Sequence, residues 1–156
     1  MEFWRFSDFS VRGYIETHGT YDAGIVCVSI VIAVVSAYAM LSLAGRISQG
    51  IDQGSAKKLH IIAAMIMGFG VWSMHFTGMH SFYLPYSMTM SASLTGLSLV
   101  PSVVGSYFAL QLYLRKELEL RSLLLGALYL SVGIGLMHYL GMEAMHYEGL
   151  VLAYDL

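Results

Sequence analysis

Charged residues are scarce in this chain. Only 12% of its 156 residues are Asp, Glu, Lys or Arg, and 57% are hydrophobic, whereas soluble domains carry about 25% charged residues. The net charge is −2 and no basic patch occurs, so we expect no nucleic-acid partner. Cys27 is the only cysteine, which excludes an internal disulfide. The sequence also lacks a Ser/His/Asp arrangement and a phosphate-binding loop, so we do not expect an enzyme.

Long uncharged intervals remain where the charges are absent. Four of them exceed the roughly 20 residues that a helix needs to cross the hydrocarbon core of a bilayer. They cover about residues 22–44, 59–82, 91–114 and 122–145. Their apolar character is continuous rather than alternating, which argues against barrel strands. The composition therefore predicts an all-α polytopic membrane protein with four transmembrane helices in the lipid bilayer.

The few charges that are present indicate an orientation. The linkers after the first and third spans, RISQGIDQGSAKK and RKELELR, hold six of the eight Lys and Arg residues, whereas the linker YLPYSMTM after the second span has none. Short basic loops stay on the cytoplasmic side. We therefore expect both termini to face outward from the inner (cytoplasmic) membrane of a bacterium. Residues 1–20, rich in Phe and Trp, suit a segment that lies in the membrane interface.

The two halves of the chain repeat each other. MHFTGM at 74–79 corresponds to MHYLGM at 137–142 with an offset of 63 residues, and a weaker match relates SAYAML from Ser36 to SYFALQ from Ser106. Within a domain of residues 21–156, the repeats cover about residues 22–82 and 91–146. Each is predicted to be a helical hairpin whose outward span ends in the motif. Parallel repeats often place a ligand where equivalent elements meet.

Small residues at intervals of four predict where the helices approach each other, because close packing in lipid depends on small side chains. Three rows of this kind occur: Ser29, Ala33 and Ala37; Ser98, Ser102 and Ser106; and Ala127, Ser131 and Gly135.

The repeated motif places imidazole and thioether groups near the outer face. Residues four apart on a helix differ by only about 40° in direction, so His75 with Met79, and His138 with Met142, form two short stripes. Imidazole nitrogen with methionine sulfur suits copper, whereas zinc more often recruits cysteine or carboxylate beside histidine. The sequence thus predicts a copper site. Its candidate ligands are His75, His80, His138, His146, Met74, Met79, Met137 and Met142.

Other interpretations of the motif stay open. Two histidines on facing membrane helices are the usual axial pair of a b-type haem, which also binds diatomic gases. Alternatively, the motifs only join helices in a non-catalytic structural or interaction module. His80 and Glu143 are also equivalent by the offset and point about 140° away from the motif histidines. Three roles are open for His80 and Glu143: they orient the metal ligands, form an ion pair across the helices, or face the lipid headgroups.

At these residues the sequence resembles the MHYT domain family, named for a Met-His-Tyr-Thr motif, over most of the chain from about residue 20 onward. The resemblance implies a bacterial inner-membrane sensor domain that senses a diatomic gas (oxygen, carbon monoxide or nitric oxide) or a redox state. It also implies a cytoplasmic output module as signalling partner, often a cyclic-di-GMP synthase or phosphodiesterase. The copper ligands that it implies are Met74, His75, Met79, Met137, His138 and Met142.

Two features depart from the family pattern. Members typically have six or seven spans and three motif copies, whereas this sequence shows four spans and two copies. The sequence also ends, at VLAYDL, on the side that we expect to be outside. We therefore expect either a shortened sensor or one that pairs with another chain, for instance in a homodimer that supplies a third hairpin.

Overall fold

A computed structural model describes residues 20–83, 88–115 and 119–147. These residues form four helices, each long and apolar enough to cross a membrane: α1 (Ala23–Ser48), α2 (Gln53–His80), α3 (Ala92–Tyr113) and α4 (Leu120–Glu143). The predicted all-α fold with four transmembrane helices is confirmed. The predicted interfacial segment of residues 1–20, which includes His18, lies outside the described residues except for Thr20.

Aspartate caps begin the first two helices. The Asp22 carboxylate accepts hydrogen bonds from two backbone amides of the first turn of α1, at 2.7 and 3.1 Å. The Asp52 carboxylate accepts one from the Ser55 amide at 2.9 Å, so α2 begins six residues before the predicted span. Only residues 49–52 separate the two helices, and Gly50 turns the chain with a φ of 86°, a conformation that glycine adopts without strain.

Four short strands, which the sequence analysis did not predict, join the helices at the motif end. β1 (Thr20–Tyr21) pairs antiparallel with β2 (Phe82–Tyr83), and β3 (Met88–Met90) pairs antiparallel with β4 (Met145–Tyr147). Each half of the chain therefore runs strand, helix, helix, strand. Both ends of the described chain lie beside the motifs, opposite the basic linkers.

Equivalent hydrogen bonds close the two hairpins. The Asp22 amide donates to the Ser81 carbonyl, and the Ser91 amide donates to the Ala144 carbonyl, each at 2.8 Å. Ser81 and Ala144 are 63 residues apart, whereas Asp22 and Ser91 are 69 apart. The first hairpin is thus six residues longer, and the offset of 63 aligns α2 with α4 but not α1 with α3.

The helices pack in chain order. α1 lies along α2, α2 along α3 and α3 along α4, whereas α2 and α4 touch over a short length. Two side chains bridge α2 and α3: Ser102 Oγ donates to the Gly68 carbonyl at 3.0 Å, and Trp72 Nε1 donates to Ser98 Oγ at 3.0 Å. Such interhelical hydrogen bonds stabilise helix association in lipid. The two hairpins are therefore docked through α2 and α3.

Glycines bring α3 and α4 into close contact. A Cβ on Gly105 would lie 3.0 Å from Gly133 Cα, and a Cβ on Gly133 would lie 2.7 Å from the Pro101 carbonyl oxygen. Larger residues at either position would force the two backbones apart.

The predicted rows of small residues have different outcomes. Ser98, Ser102 and Ser106 are all buried on α3, as predicted. The row on α4 is wrong, because Ala127 and Ser131 are exposed. The buried stripe of α4 lies one residue away, which is about 100° around the helix. It contains Ser122, Gly126, Gly133, Met137 and Gly141.

Candidate metal centre

The two motif histidines meet between the hairpins. The ring centroids of His75 on α2 and His138 on α4 are 4.9 Å apart, and the ring planes cross at 73°, in an edge-to-face contact. The contact lies where α2 approaches α4, near the end of both helices that carries the strands.

Gly141 provides the space for this contact. A Cβ at this position would lie 3.0 Å from His75 Nε2 and 3.1 Å from Phe76 Cζ. Phe76 is buried and packs edge-on against the His75 ring, with centroids 5.1 Å apart. Gly141 of the second motif therefore leaves the space that the His75 ring of the first motif occupies.

His75 Nε2 is buried and has no hydrogen-bond partner among the described residues. A polar nitrogen in this state costs roughly 1–3 kcal/mol, and buried groups of this kind require an explanation such as an ion or a water. His138 is exposed at the surface of the chain. The pair thus combines a sheltered imidazole nitrogen with an accessible second ring.

The other predicted ligands are placed less uniformly. Met74, Met79 and Met142 are half-buried, and Met137 is almost completely buried, at 1% exposure. His80 is exposed. The backbone of His146 pairs with Thr89 in the strands at the motif end, and its side chain lies outside the described part. Among the described residues, no group of three His, Cys, Asp or Glu side chains forms, so a metal bound by the two histidines would need methionine sulfurs as further ligands.

The two motifs are not related by an exact twofold exchange. His75 rests on Gly141, but a Cβ on Gly78, the equivalent glycine, would meet no atom within 4 Å. Phe76 is buried, whereas its equivalent Tyr139 is 71% exposed. The two copies of the motif therefore have different surroundings, although their sequences correspond.

Comparison with known proteins places the segment that contains the first motif in a family. Residues 68–126, from within α2 into α4, match the MHYT model, described as a bacterial signalling protein N terminal repeat. Residues 68–126 belong to the MHYT family. No solved structure matches the chain.

Three curated relatives have similar MHYT segments. The chain is 41% identical over 126 residues to the bifunctional diguanylate cyclase/cyclic di-GMP phosphodiesterase MucR of Pseudomonas aeruginosa. It is 36% identical over 132 residues to the signaling protein YkoW of Bacillus subtilis, and 31% identical over 135 residues to the cyclic di-GMP phosphodiesterase NbdA of P. aeruginosa. These matches cover 81%, 84% and 86% of this chain but only 18%, 16% and 17% of the relatives.

The MHYT segment is a sensor domain of bacterial signalling proteins rather than a catalytic one. The enzymatic names describe relatives of which the chain spans less than a fifth. With four helices that can span a membrane, the chain is a multi-pass membrane sensor domain.

Sequence reasoning missed how Gly141 and Phe76 shape the MHYT site. The only signal was that glycine occupies the same position in both copies of the motif, which is also explained by close helix packing. The asymmetry between the copies carries no signal in the motif itself, because it arises from the docking of α2 on α3.

Proposed function

We propose that the chain binds copper between its hairpins, with His75 and His138 as imidazole ligands and Met79 and Met142 as thioether ligands. The observation that carries the proposal is the 4.9 Å ring contact beside a buried His75 Nε2 without a partner among the described residues. A metal ion is a partner that two adjoining imidazoles share. When bound, copper would supply a centre that accepts small ligands and changes oxidation state.

The remaining candidates take lesser roles in this proposal. Met137 is buried within the chain, so we assign it, together with the equivalent Met74, to packing beside the pair. His146 stays a candidate third imidazole, since β4 holds its backbone at the motif end. The exposed His80 is left outside the ligand set, which makes it a useful control.

Haem b suits the pair less well than copper. Axial ligands bind to opposite faces of the porphyrin, so the macrocycle separates their rings. An edge-to-face contact with centroids 4.9 Å apart leaves no space for a porphyrin between His75 and His138. An intense Soret band in the purified protein would nevertheless favour haem over copper.

We propose that the input is a diatomic gas (oxygen, carbon monoxide or nitric oxide) or a change of redox state. His75 and His138 belong to different hairpins, so an input that favours one spacing of the two rings also favours one arrangement of the hairpins. Lys57 on α2 and Arg121 on α4 lie at the opposite ends of the same helices. By the positive-inside rule these ends face the cytoplasm, across the inner membrane.

The partner would be a cytoplasmic output domain, in the same longer protein or in another chain. MucR and NbdA are named for making or degrading cyclic di-GMP, so we propose an output of that kind. This part of the proposal rests on the relatives alone.

A second copy of the chain would fill the free space beside Gly78 in the first motif. Gly78 has free space where Gly141 holds a histidine, and His138 is exposed. In a homodimer, a motif histidine of one protomer would rest on Gly78 of the other. Gly78→Leu should lower the fraction of dimer in membranes measured by cross-linking, whereas Gly45→Leu, another open position, should not. Equal dimer fractions in both variants would contradict this contact.

Copper analysis of protein purified from membranes tests the main proposal. The wild type should retain copper, His75→Ala and His138→Ala should lose it, and His80→Ala should keep it. An optical spectrum of each sample checks for haem, and helical content by circular dichroism checks folding. A wild type without copper, or folded His75→Ala and His138→Ala variants that retain it, would contradict the proposal and favour a purely structural role for the motifs.

A further inference from the structure

Two methionines lie directly opposite each other in the strand pair of the second hairpin. Met90 on β3 and Met145 on β4 are partners in the antiparallel register. The Ser91 amide donates to the Ala144 carbonyl at 2.8 Å, one step further along the same register. Because hydrogen-bonded and non-hydrogen-bonded pairs alternate in an antiparallel ladder, Met90 and Met145 form a non-hydrogen-bonded pair. Side chains come closest at such pairs, with Cβ atoms about 4.5–5.5 Å apart.

The first hairpin shows that side chains meet at this position. Its equivalent pair is Tyr21 on β1 and Phe82 on β2. The Asp22 amide donates to the Ser81 carbonyl beside this pair, as in the second hairpin. The rings of Tyr21 and Phe82 are in contact, with centroids 4.9 Å apart. The second hairpin therefore has two thioethers where the first has two rings.

The methionine pair is sheltered on one side and accessible on the other. Met145 is 5% exposed, whereas Met90 is half-buried. The pair lies at the motif end of the chain, which the positive-inside rule places on the outer side of the membrane. An ion from the outer side therefore approaches the pair past Met90, while Met145 stays shielded from water.

Two adjoining thioethers select a soft ion. Methionine sulfur favours Cu(I), whereas Mg²⁺ and Ca²⁺ require oxygen ligands. Neither Met90 nor Met145 lies in a copy of the repeated motif, which covers residues 74–79 and 137–142. A site at this pair is therefore distinct from the one at the two motif histidines.

We propose that Met90 and Met145 bind one Cu(I) ion at the outer surface, between β3 and β4. One sulfur comes from each strand, and the open side at Met90 admits the ion. The site does not depend on copper at the histidine pair. Apolar packing alone would also bring two methionines together, but only a metal site requires sulfur at both positions. Leucine has a similar volume and keeps the packing while removing the sulfur, so it separates the two roles.

Titration of the full chain with Ag(I), a redox-stable analogue of Cu(I), in chloride-free detergent tests the proposal. NMR of protein labelled with ¹³C at the methionine methyl groups reports on each sulfur, and single Met→Leu variants assign the resonances. The Met90 and Met145 resonances should shift together and saturate at the same Ag(I) concentration. Met90→Leu should remove the shift of Met145 at that concentration. Met65, which is 55% exposed on α2, is the matched control and should not respond there.

Four results would overturn the proposal. The first is a wild-type chain whose Met90 and Met145 resonances do not move. The second is an unchanged response of Met145 in Met90→Leu. The third is an equal response of Met65, which would show unspecific binding to thioethers. The fourth is loss of both responses in a folded His75→Ala/His138→Ala variant, which would show that the methionine pair is not a separate site.

Discussion

Replacing Gly141 by alanine tests whether the histidine pair depends on the space above this glycine. The added Cβ would lie 3.0 Å from His75 Nε2 and 3.1 Å from Phe76 Cζ, so both rings must move by a few tenths of an ångström. Overpacking of this kind costs about 1–3 kcal/mol, and alanine regains about 0.8–1.0 kcal/mol over glycine inside a helix. We therefore expect a net loss of about 1 kcal/mol in the free energy of unfolding.

Copper affinity should respond more strongly than stability in Gly141→Ala, because a displaced His75 ring no longer meets His138 correctly. A loss of about 1–2 kcal/mol corresponds to a five- to thirtyfold weaker affinity, measured by competition with a Cu(I) chelator in detergent. Gly135→Ala is the matched control, since it lies on the same helix and its Cβ would meet no atom within 4 Å. Unchanged affinity in Gly141→Ala, or an equal loss in Gly135→Ala, would refute the reasoning.

Three further substitutions test the packing of the helices. Gly105→Ala should lower the free energy of unfolding in detergent by about 1–3 kcal/mol, because its Cβ would lie 2.8 Å from the Tyr129 carbonyl oxygen. Gly96→Ala on the same helix has open space around its Cβ and should leave the thermal stability unchanged. Similar melting temperatures of the two variants would argue against close contact of α3 and α4. Trp72→Phe should lower the free energy of unfolding by about 0.6 kcal/mol or more, because it removes the Nε1–H that Ser98 Oγ and the Thr95 carbonyl share and one interhelical hydrogen bond in a membrane protein is typically worth about that much. No change in the free energy of unfolding would show that these hydrogen bonds contribute nothing. Gly50→Ala should destabilise by about 1–2 kcal/mol, since its φ of 86° is left-handed; a stabilised variant would show that the turn changes shape.

The helices were predictable from the sequence because apolar runs longer than 20 residues have few alternatives in a membrane protein. Their inner ends were less predictable, since the Asp52 cap starts α2 within the charged linker. The strands were missed because pairs of two or three residues are too short for an alternating pattern to emerge. The division of the four helices into two hairpins was predictable from the repeated motif alone.

The candidate site was predictable in its residue types but not in its geometry. The repetition of the motif singled out His75 and His138, whose rings lie in contact. The seat on Gly141 and the exposure of Tyr139 depend on how one hairpin docks on the other. The wrong row through Ser131 has the same origin, because a shift of one residue on α4 turns a side chain from the interface to the lipid.

The strand pairs at the motif end have a mechanical consequence. Since β1 is bonded to β2 and β3 to β4, the two legs of either hairpin cannot spread apart beside the histidines. We therefore expect movement at the motif end to shift one whole hairpin relative to the other, about the hydrogen bonds of Ser102 and Trp72 between α2 and α3. A small displacement at the motif end should then be accompanied by a larger one at the opposite helix ends, beside the basic linkers.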